Sequence, residues 1–235
     1  NSTGQLSTIT DPSGVVTALI YDGNNRLHQV TRSGIVLSTS TYDALGRLAT
    51  SQDATGLVLN YAYDDLNHLT TITYPDGKTE TYEYSSPHSP NLQTASIDRA
   101  GRRVDLYYSS EKELEEVVNP EKAVSRYSYD QNGNLVQFTD PNTNSTDFDY
   151  DSGGRLIQRT YADGNALSYS YNNRGLLSTA TNSRGQVTSY YYDSNGNLLT
   201  VDYSDPDTPD VSYTYDDYDR VTQIDDGTGT TFFTY

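Results

Sequence analysis

The sequence predicts an all-β protein: an array of about ten antiparallel β-hairpins of 21 residues each, forming a curled or spiralling sheet that serves as a shell wall or solenoid. Three observations carry this. A marker tyrosine recurs at Tyr21, Tyr42, Tyr63, Tyr84, Tyr108, Tyr129, Tyr150, Tyr171, Tyr192 and Tyr215, at 21-residue intervals stretched only to 24 before Tyr108 and 23 before Tyr215. Around the markers, Tyr-x-Tyr steps and Thr-, Val- and Ser-rich stretches alternate with period 2, the pattern of strands with one face more buried than the other. Two turn signals fall in every period, which leaves room for two strands of ordinary length.

Within a unit, each position has a physical reason. Two residues before the marker stands a second aromatic, as at Tyr61, Tyr82, Tyr127, Phe148, Tyr169, Tyr190 and Tyr213. One residue after it stands Asp (Asp22, Asp43, Asp64, Asp130, Asp151, Asp193, Asp216), whose carboxylate bonds the backbone ahead. Four after it stands Gly or Asn, as at Asn25, Gly46, Asn67 and Gly133, residues that tolerate positive φ. Six after it stands Leu, from Leu27 to Leu198. A second turn follows about eight residues later, as at Asp11-Pro12-Ser13-Gly14, Asp53-Ala54-Thr55-Gly56 and Asn182-Ser183-Arg184-Gly185. The marker tyrosines should form a ladder on one face. Glu111–Val118 has helical composition but occupies a strand slot, and the period predicts strand there. Ser85–Pro90 and Asp205–Pro209 are lengthened turns at the sheet margin, because proline cannot donate to a ladder. No linker or composition shift divides the chain, so residues 1–235 read as one repeat domain, a fragment of a longer polypeptide already in register at Gly4 and lacking a visible signal peptide.

Composition narrows the function. Lys and Arg number 15 against 32 Asp and Glu, a net charge of −17, which disfavours nucleic acid and anionic lipid as partners. There is no cysteine, so disulfides and thiolate metal sites are out. No apolar run approaches the ~20 residues of a membrane-spanning helix. With 34% apolar residues but 23 tyrosines, the core is a thin, partly wet sheet; each tyrosine buries a ring yet asks for a hydroxyl partner.

Units such as Tyr42-Asp43-Ala44-Leu45-Gly46-Arg47-Leu48 and Tyr129-Asp130-Gln131-Asn132-Gly133-Asn134-Leu135 resemble the Tyr-Asp (YD) repeats of the RHS family, over essentially the whole chain. That family includes bacterial polymorphic toxins, the C components of insecticidal toxin complexes and the teneurins. The resemblance implies a β-ribbon spiralling into a hollow shell, which in the toxins encloses a C-terminal effector. It also implies a secreted or cell-surface location in a bacterium, with an encapsulated or adjoining toxin domain of the same polypeptide as partner. Asp11-Pro12-Ser13-Gly14 has a passing likeness to part of the family's core motif, but it fills an ordinary turn slot and is read as a turn.

No residues are assigned as catalytic, cofactor-binding or metal-binding, and no enzymatic activity is expected. The paired carboxylates Asp64-Asp65, Glu115-Glu116, Asp216-Asp217 and Asp225-Asp226 are strand or turn neighbours whose side chains diverge. Asp130–Asn134 and Asp193–Asn197 lack the Gly and Glu spacing of a calcium loop. His28, His68 and His88 lie in separate repeats without a second ligand nearby. Asn1-Ser2-Thr3 and Asn144-Ser145-Thr146 match the glycosylation sequon, which matters only in a eukaryotic source. The sequence therefore predicts a structural shell segment that encloses or displays a cargo. An adhesin or filament that binds glycans or proteins through tyrosine rows, margin loops or end strands stays open as the alternative.

Overall fold

A computed structural model describes residues 4–11 and 13–235, so the Asn1-Ser2-Thr3 sequon and Pro12 lie outside the described residues. The chain forms two compact units, Asn1–Ala123 and Val124–Tyr235. The first holds β1 (Thr8–Thr10), β2 (Val16–Tyr21), β3 (Leu27–Arg32), β4 (Ile35–Tyr42), β5 (Leu48–Asp53), β6 (Val58–Tyr63), β7 (Leu69–Thr73), β8 (Thr79–Glu83), β9 (Ala95–Ile97), β10 (Arg103–Tyr108) and β11 (Leu114–Val118). The second holds β12 (Val124–Tyr129), β13 (Leu135–Thr139), β14 (Ser145–Tyr150), β15 (Leu156–Tyr161), β16 (Ala166–Tyr171), β17 (Leu177–Thr181), β18 (Val187–Tyr192), β19 (Leu198–Tyr203), β20 (Val211–Tyr215), β21 (Val221–Asp226) and β22 (Gly229–Phe232). Within each unit every strand pairs antiparallel with its neighbours in sequence, as β2 does with β1 and β3, or β16 with β15 and β17. The expected all-β hairpin array is what forms; of the stretch Glu111–Val118, Leu114–Val118 is a strand despite its glutamates, whereas Glu111–Glu113 lie in the turn closed by Ser109 and Glu113.

Both turns of a repeat have the same construction. At Asp43–Arg47 the amide of Asp43 donates to the Arg47 carbonyl, and that of Gly46 donates to the Asp43 carbonyl. Asp53–Leu57 repeats both bonds, and so do Asp11–Val15 and Asn182–Gln186. This is a three-residue hairpin loop whose last residue sits at positive φ. Gly46 meets that demand at φ 86° and Asn25 at φ 63°, whereas β-branched Thr143 is forced to φ 68°.

Register adds a feature the repeat pattern did not disclose. In nine hairpins the pairing slips by one residue at the step into the marker, as between Ala62 and Tyr63 or Ser170 and Tyr171. Tyr63 then faces Leu69, and Tyr171 faces Leu177. A bulge of this kind bends its strand and increases local twist, so curvature is built into those nine hairpins. The lengthened turns fall where expected, outside the strands: residues 84–94 join β8 to β9 and residues 204–210 join β19 to β20.

No second layer covers these strands. Among the described residues only Ala95 (0% exposed) and Val201 (7%) are buried hydrophobics. Along β6 and β16 the marker and the aromatic before it are half-buried while the residue between them is exposed. Stability must therefore come from many half-buried contacts and from polar ties. At Thr143, a left-handed L-residue costs about 1–2 kcal/mol, partly offset by the extra unfolded-state freedom of glycine. Thr143→Gly should therefore raise the stability of the second unit by about 0.5–1 kcal/mol, read as a higher urea midpoint with unchanged slope.

Candidate functional site

The residues with chemical potential gather at the marker turns, and each is already engaged. In the Tyr42 repeat, Asp43 Oδ1 accepts from the amides of Leu45 and Arg47, both at 2.9 Å, while Oδ2 accepts from Arg47 Nε at 2.7 Å. Asp22, Asp151 and Asp216 hold Arg26, Arg155 and Arg220 in the same way. At Asp130 and Asp193 an asparagine replaces the arginine: Asn134 and Asn197 donate both main-chain and side-chain N–H to the carboxylate. The two sequences with a superficial calcium-loop look thus have carboxylates filled by amide donors. Hydrogen bonds from the donors each turn supplies hold Asp22, Asp43, Asp130, Asp151 and Asp216 below the ordinary carboxylate range.

The arginine then reaches across to the next repeat. Arg26 lies over the Tyr42 ring at 4.5 Å, Arg47 over Tyr63 at 4.6 Å and Arg155 over Tyr171 at 4.8 Å. Arg47 also donates to the Asp64 carbonyl (3.1 Å) and to Asn67 Oδ1 (2.9 Å) in the following turn. The turn glycine leaves space for this guanidinium: a Cβ on Gly46 would stand 3.4 Å from Arg26 Nη1, and one on Gly196 3.2 Å from Arg174 Nη2. Marker hydroxyls donate to main-chain carbonyls in or just before the preceding strand: Tyr21 to Leu6, Tyr42 to Leu27, Tyr63 to Leu48, Tyr108 to Gln93, Tyr150 to Leu135, Tyr171 to Leu156 and Tyr215 to Leu198, all at 2.7–3.0 Å. At Tyr42, Tyr63 and Tyr171 the tyrosine ladder is thus interleaved with guanidinium groups. Tyr235 extends it, its hydroxyl on the Val221 carbonyl and Arg220 over its ring at 4.4 Å.

Two profiles of known families match this chain. The teneurin YD-shell profile covers residues 93–234, about three-fifths of the chain, and the RHS repeat profile covers residues 1–36 and 42–79. The chain belongs to the RHS/YD-repeat family. Among solved structures, the crystal structure of TcdB2-TccC3-TEV aligns with TM-score 0.65 at 16% identity, over 94% of this chain and 14% of that one. That of TcdB2-TccC3 aligns with TM-score 0.61 at 14% identity, over 94% and 15%. The Tc holotoxin pore of Photorhabdus luminescens aligns with TM-score 0.59 at 14% identity, over 90% and 14%. These likenesses are of fold, and the YD chain spans about a seventh of each of those chains. No curated protein matches it.

Against that repeat frame the other candidates are turn and strand residues. Asp64 and Asp216 are turn aspartates, and Asp225 and Asp226 bond to Gln223 and Thr230 and to Thr228 respectively. Asp11 takes the amides of Ser13 and Val15, as a turn aspartate does. Among the described residues no three His, Asp or Glu side chains converge as a metal site would need, and no helix is long and apolar enough to cross a membrane.

His68 occupies the arginine position of its repeat and stacks on Tyr84 at 4.5 Å. Its Nδ1 meets Asp64 Oδ2 and its Nε2 meets Asn91 Oδ1, both at 2.9 Å. Two oxygen acceptors favour the doubly protonated ring, and the bond to Asp64 above all raises its pKa from the ordinary 6.5. A raised folded-state pKa contributes stability that is complete below pH 6.5 and fades as pH climbs through the folded value. His68→Arg should abolish that alkaline loss, giving a first-unit melting temperature flat across it where the parent declines. The turn aspartates work in the opposite sense: their lowered pKa values add stability above the ordinary 3.8 that disappears as pH falls below it. Separately, Tyr63→Phe strands the Leu48 carbonyl and should cost about 1 kcal/mol in urea unfolding.

Proposed function

We propose that this chain is a non-catalytic structural segment of a secreted bacterial RHS/YD protein, one continuous array forming part of a β-shell around, or displaying, a toxin domain of the same polypeptide. One observation supports this above the rest: the recurring Tyr and Arg side chains are engaged in binding one repeat to the next, and the turn Asp side chains in closing their own turns. A general acid, base or nucleophile needs a group free to meet a substrate; these carboxylates are saturated by local donors, and the marker hydroxyls by carbonyls. The fold likeness to the Tc structures agrees with a wall role, and the bulge in nearly every hairpin supplies the curvature a wall requires. An acidic surface would also hold a basic or partly unfolded cargo without hydrophobic trapping. The alternative, binding through tyrosines and margin loops, draws on Tyr107 and Tyr191, each 53% exposed.

Limited proteolysis of the full polypeptide tests enclosure. The adjoining domain should resist protease in the parent and become cleavable when Arg47→Ala and Tyr63→Phe together loosen the ladder. Equal cleavage in parent and variant would reject enclosure and leave display or spacing.

A further inference from the structure

We propose that the cleft between the Ser85–Thr94 loop and β10 binds an uncharged saccharide ring, with Tyr107 as the stacking platform. This goes beyond the wall role, since it gives one repeat a recognition task that the others lack.

The cleft measures about 380 Å³ and is lined by Ser85, Ser86, His88, Arg103, Asp105 and Tyr107, among others. That lies near the lower end of small-molecule sites, roughly 300–1,000 Å³, and leaves room for a sugar ring or two but not for a folded domain. Arg103, Asp105 and Tyr107 alternate along β10 and so share one face. Between the sheet neighbours of Asp105 and Glu83 lies Ala95, paired with both. Arg103 bridges above it, its Nη1 and Nη2 on Glu83 at 2.6 and 2.8 Å and its Nε on Asp105 at 2.5 Å. This bridge accounts for the complete burial of Ala95 in an otherwise single-layer sheet.

The chemistry favours a neutral polyol. Arg103 is offset by two carboxylates, and Lys122 Nζ stands 3.8 Å from Asp105, so neither a phosphate nor a cation meets an uncompensated charge. The ion-paired groups still offer donors and acceptors to vicinal hydroxyls, as do Ser85, Ser86 and His88. Tyr107 is not demanded by the fold. The equivalent position, one before the marker, holds Ile20, Thr41, Ala62, Glu83, Ser128, Asp149, Ser170 and Thr214 in other repeats and a second tyrosine, Tyr191, in one. Here it holds a ring that is 53% exposed, an apolar face with a polar tip beside charged and hydroxyl groups.

The wall opposite is held in place. Asn91 is bonded to His68 (2.9 Å), and Ser85 Oγ meets Thr94 Oγ1 at 3.0 Å. Pro87 and Pro90 restrict the backbone between. A preformed wall spares a ligand the ordering cost that weakens binding to a mobile loop.

The test is an NMR titration of the 235-residue chain, ¹⁵N-labelled, with the methyl glycosides of glucose, galactose and N-acetylglucosamine. At least one should shift amides confined to residues 85–88 and 103–108. Tyr107→Ser, a residue that other repeats accept at this position, should weaken that binding by about tenfold or more while the remaining spectrum stays in place. Tyr191→Ser in the second unit should leave it unchanged. No shift with any glycoside, shifts that map elsewhere, or wild-type affinity in Tyr107→Ser would each overturn the proposal. None of these outcomes touches the proteolysis result, so the two readings fail separately.

Discussion

The hydroxyl that a marker tyrosine gives to a main-chain carbonyl earlier in the chain, as Tyr42 does to Leu27 and Tyr171 to Leu156, is the constraint around which the repeat is arranged. A single-layer sheet cannot bury enough apolar surface to hold its strands by hydrophobic packing alone, and only Ala95 and Val201 are buried hydrophobics among the described residues. Phenylalanine in the marker slot would supply the same ring area without the bond. Tyrosine covers the adjacent strand with its ring and ties it with its hydroxyl, which reconciles 23 tyrosines with 4 phenylalanines. The bulge entering the marker follows from the same arrangement: it sets Tyr63 opposite Leu69 while its hydroxyl bonds Leu48 on the other side.

Charge is distributed by the same logic. The chain carries an excess of 17 negative charges, yet its turn aspartates face local donors and, in several repeats, an arginine. That arginine neutralises its own aspartate and then lies over the next tyrosine, so one cation serves two repeats. Exposed ion pairs contribute little individually; here their value is geometric, because they fix the spacing between successive turns. Where the cation is absent the repeat finds another donor, as at Asn134 and Asn197, or substitutes an aromatic one, as at His68.

Regularity and exception divide the work of this molecule. The residues that recur are consumed in holding repeats together, which argues for a wall. The residues that break the pattern, Tyr107 and the Ser85–Thr94 loop, make an open, polar-rimmed cleft. Recognition on a repeat scaffold is best placed at such a break, since a change there does not propagate along the ladder.

Much of this was legible in the sequence by itself. The period, the strands, both turns and the sites of the lengthened loops follow from residue spacing, because these turns favour an Asp or Asn acceptor and demand a left-handed residue at fixed positions. Leu114–Val118 is instructive: local propensity favours helix, and the repeat outweighs it, because β10 presents a strand edge with which it pairs, while Glu111–Glu113 fall in the turn before it. Three things required the tertiary structure. The bulge is invisible in spacing, since one extra residue in a strand looks the same as a longer turn. The placement of arginine on the following tyrosine joins residues 16 apart, Arg47 and Tyr63 for instance, and only strand register sets that neighbour. The Arg103 bridge over Ala95 draws on three separate strands, and no sequence period links its members.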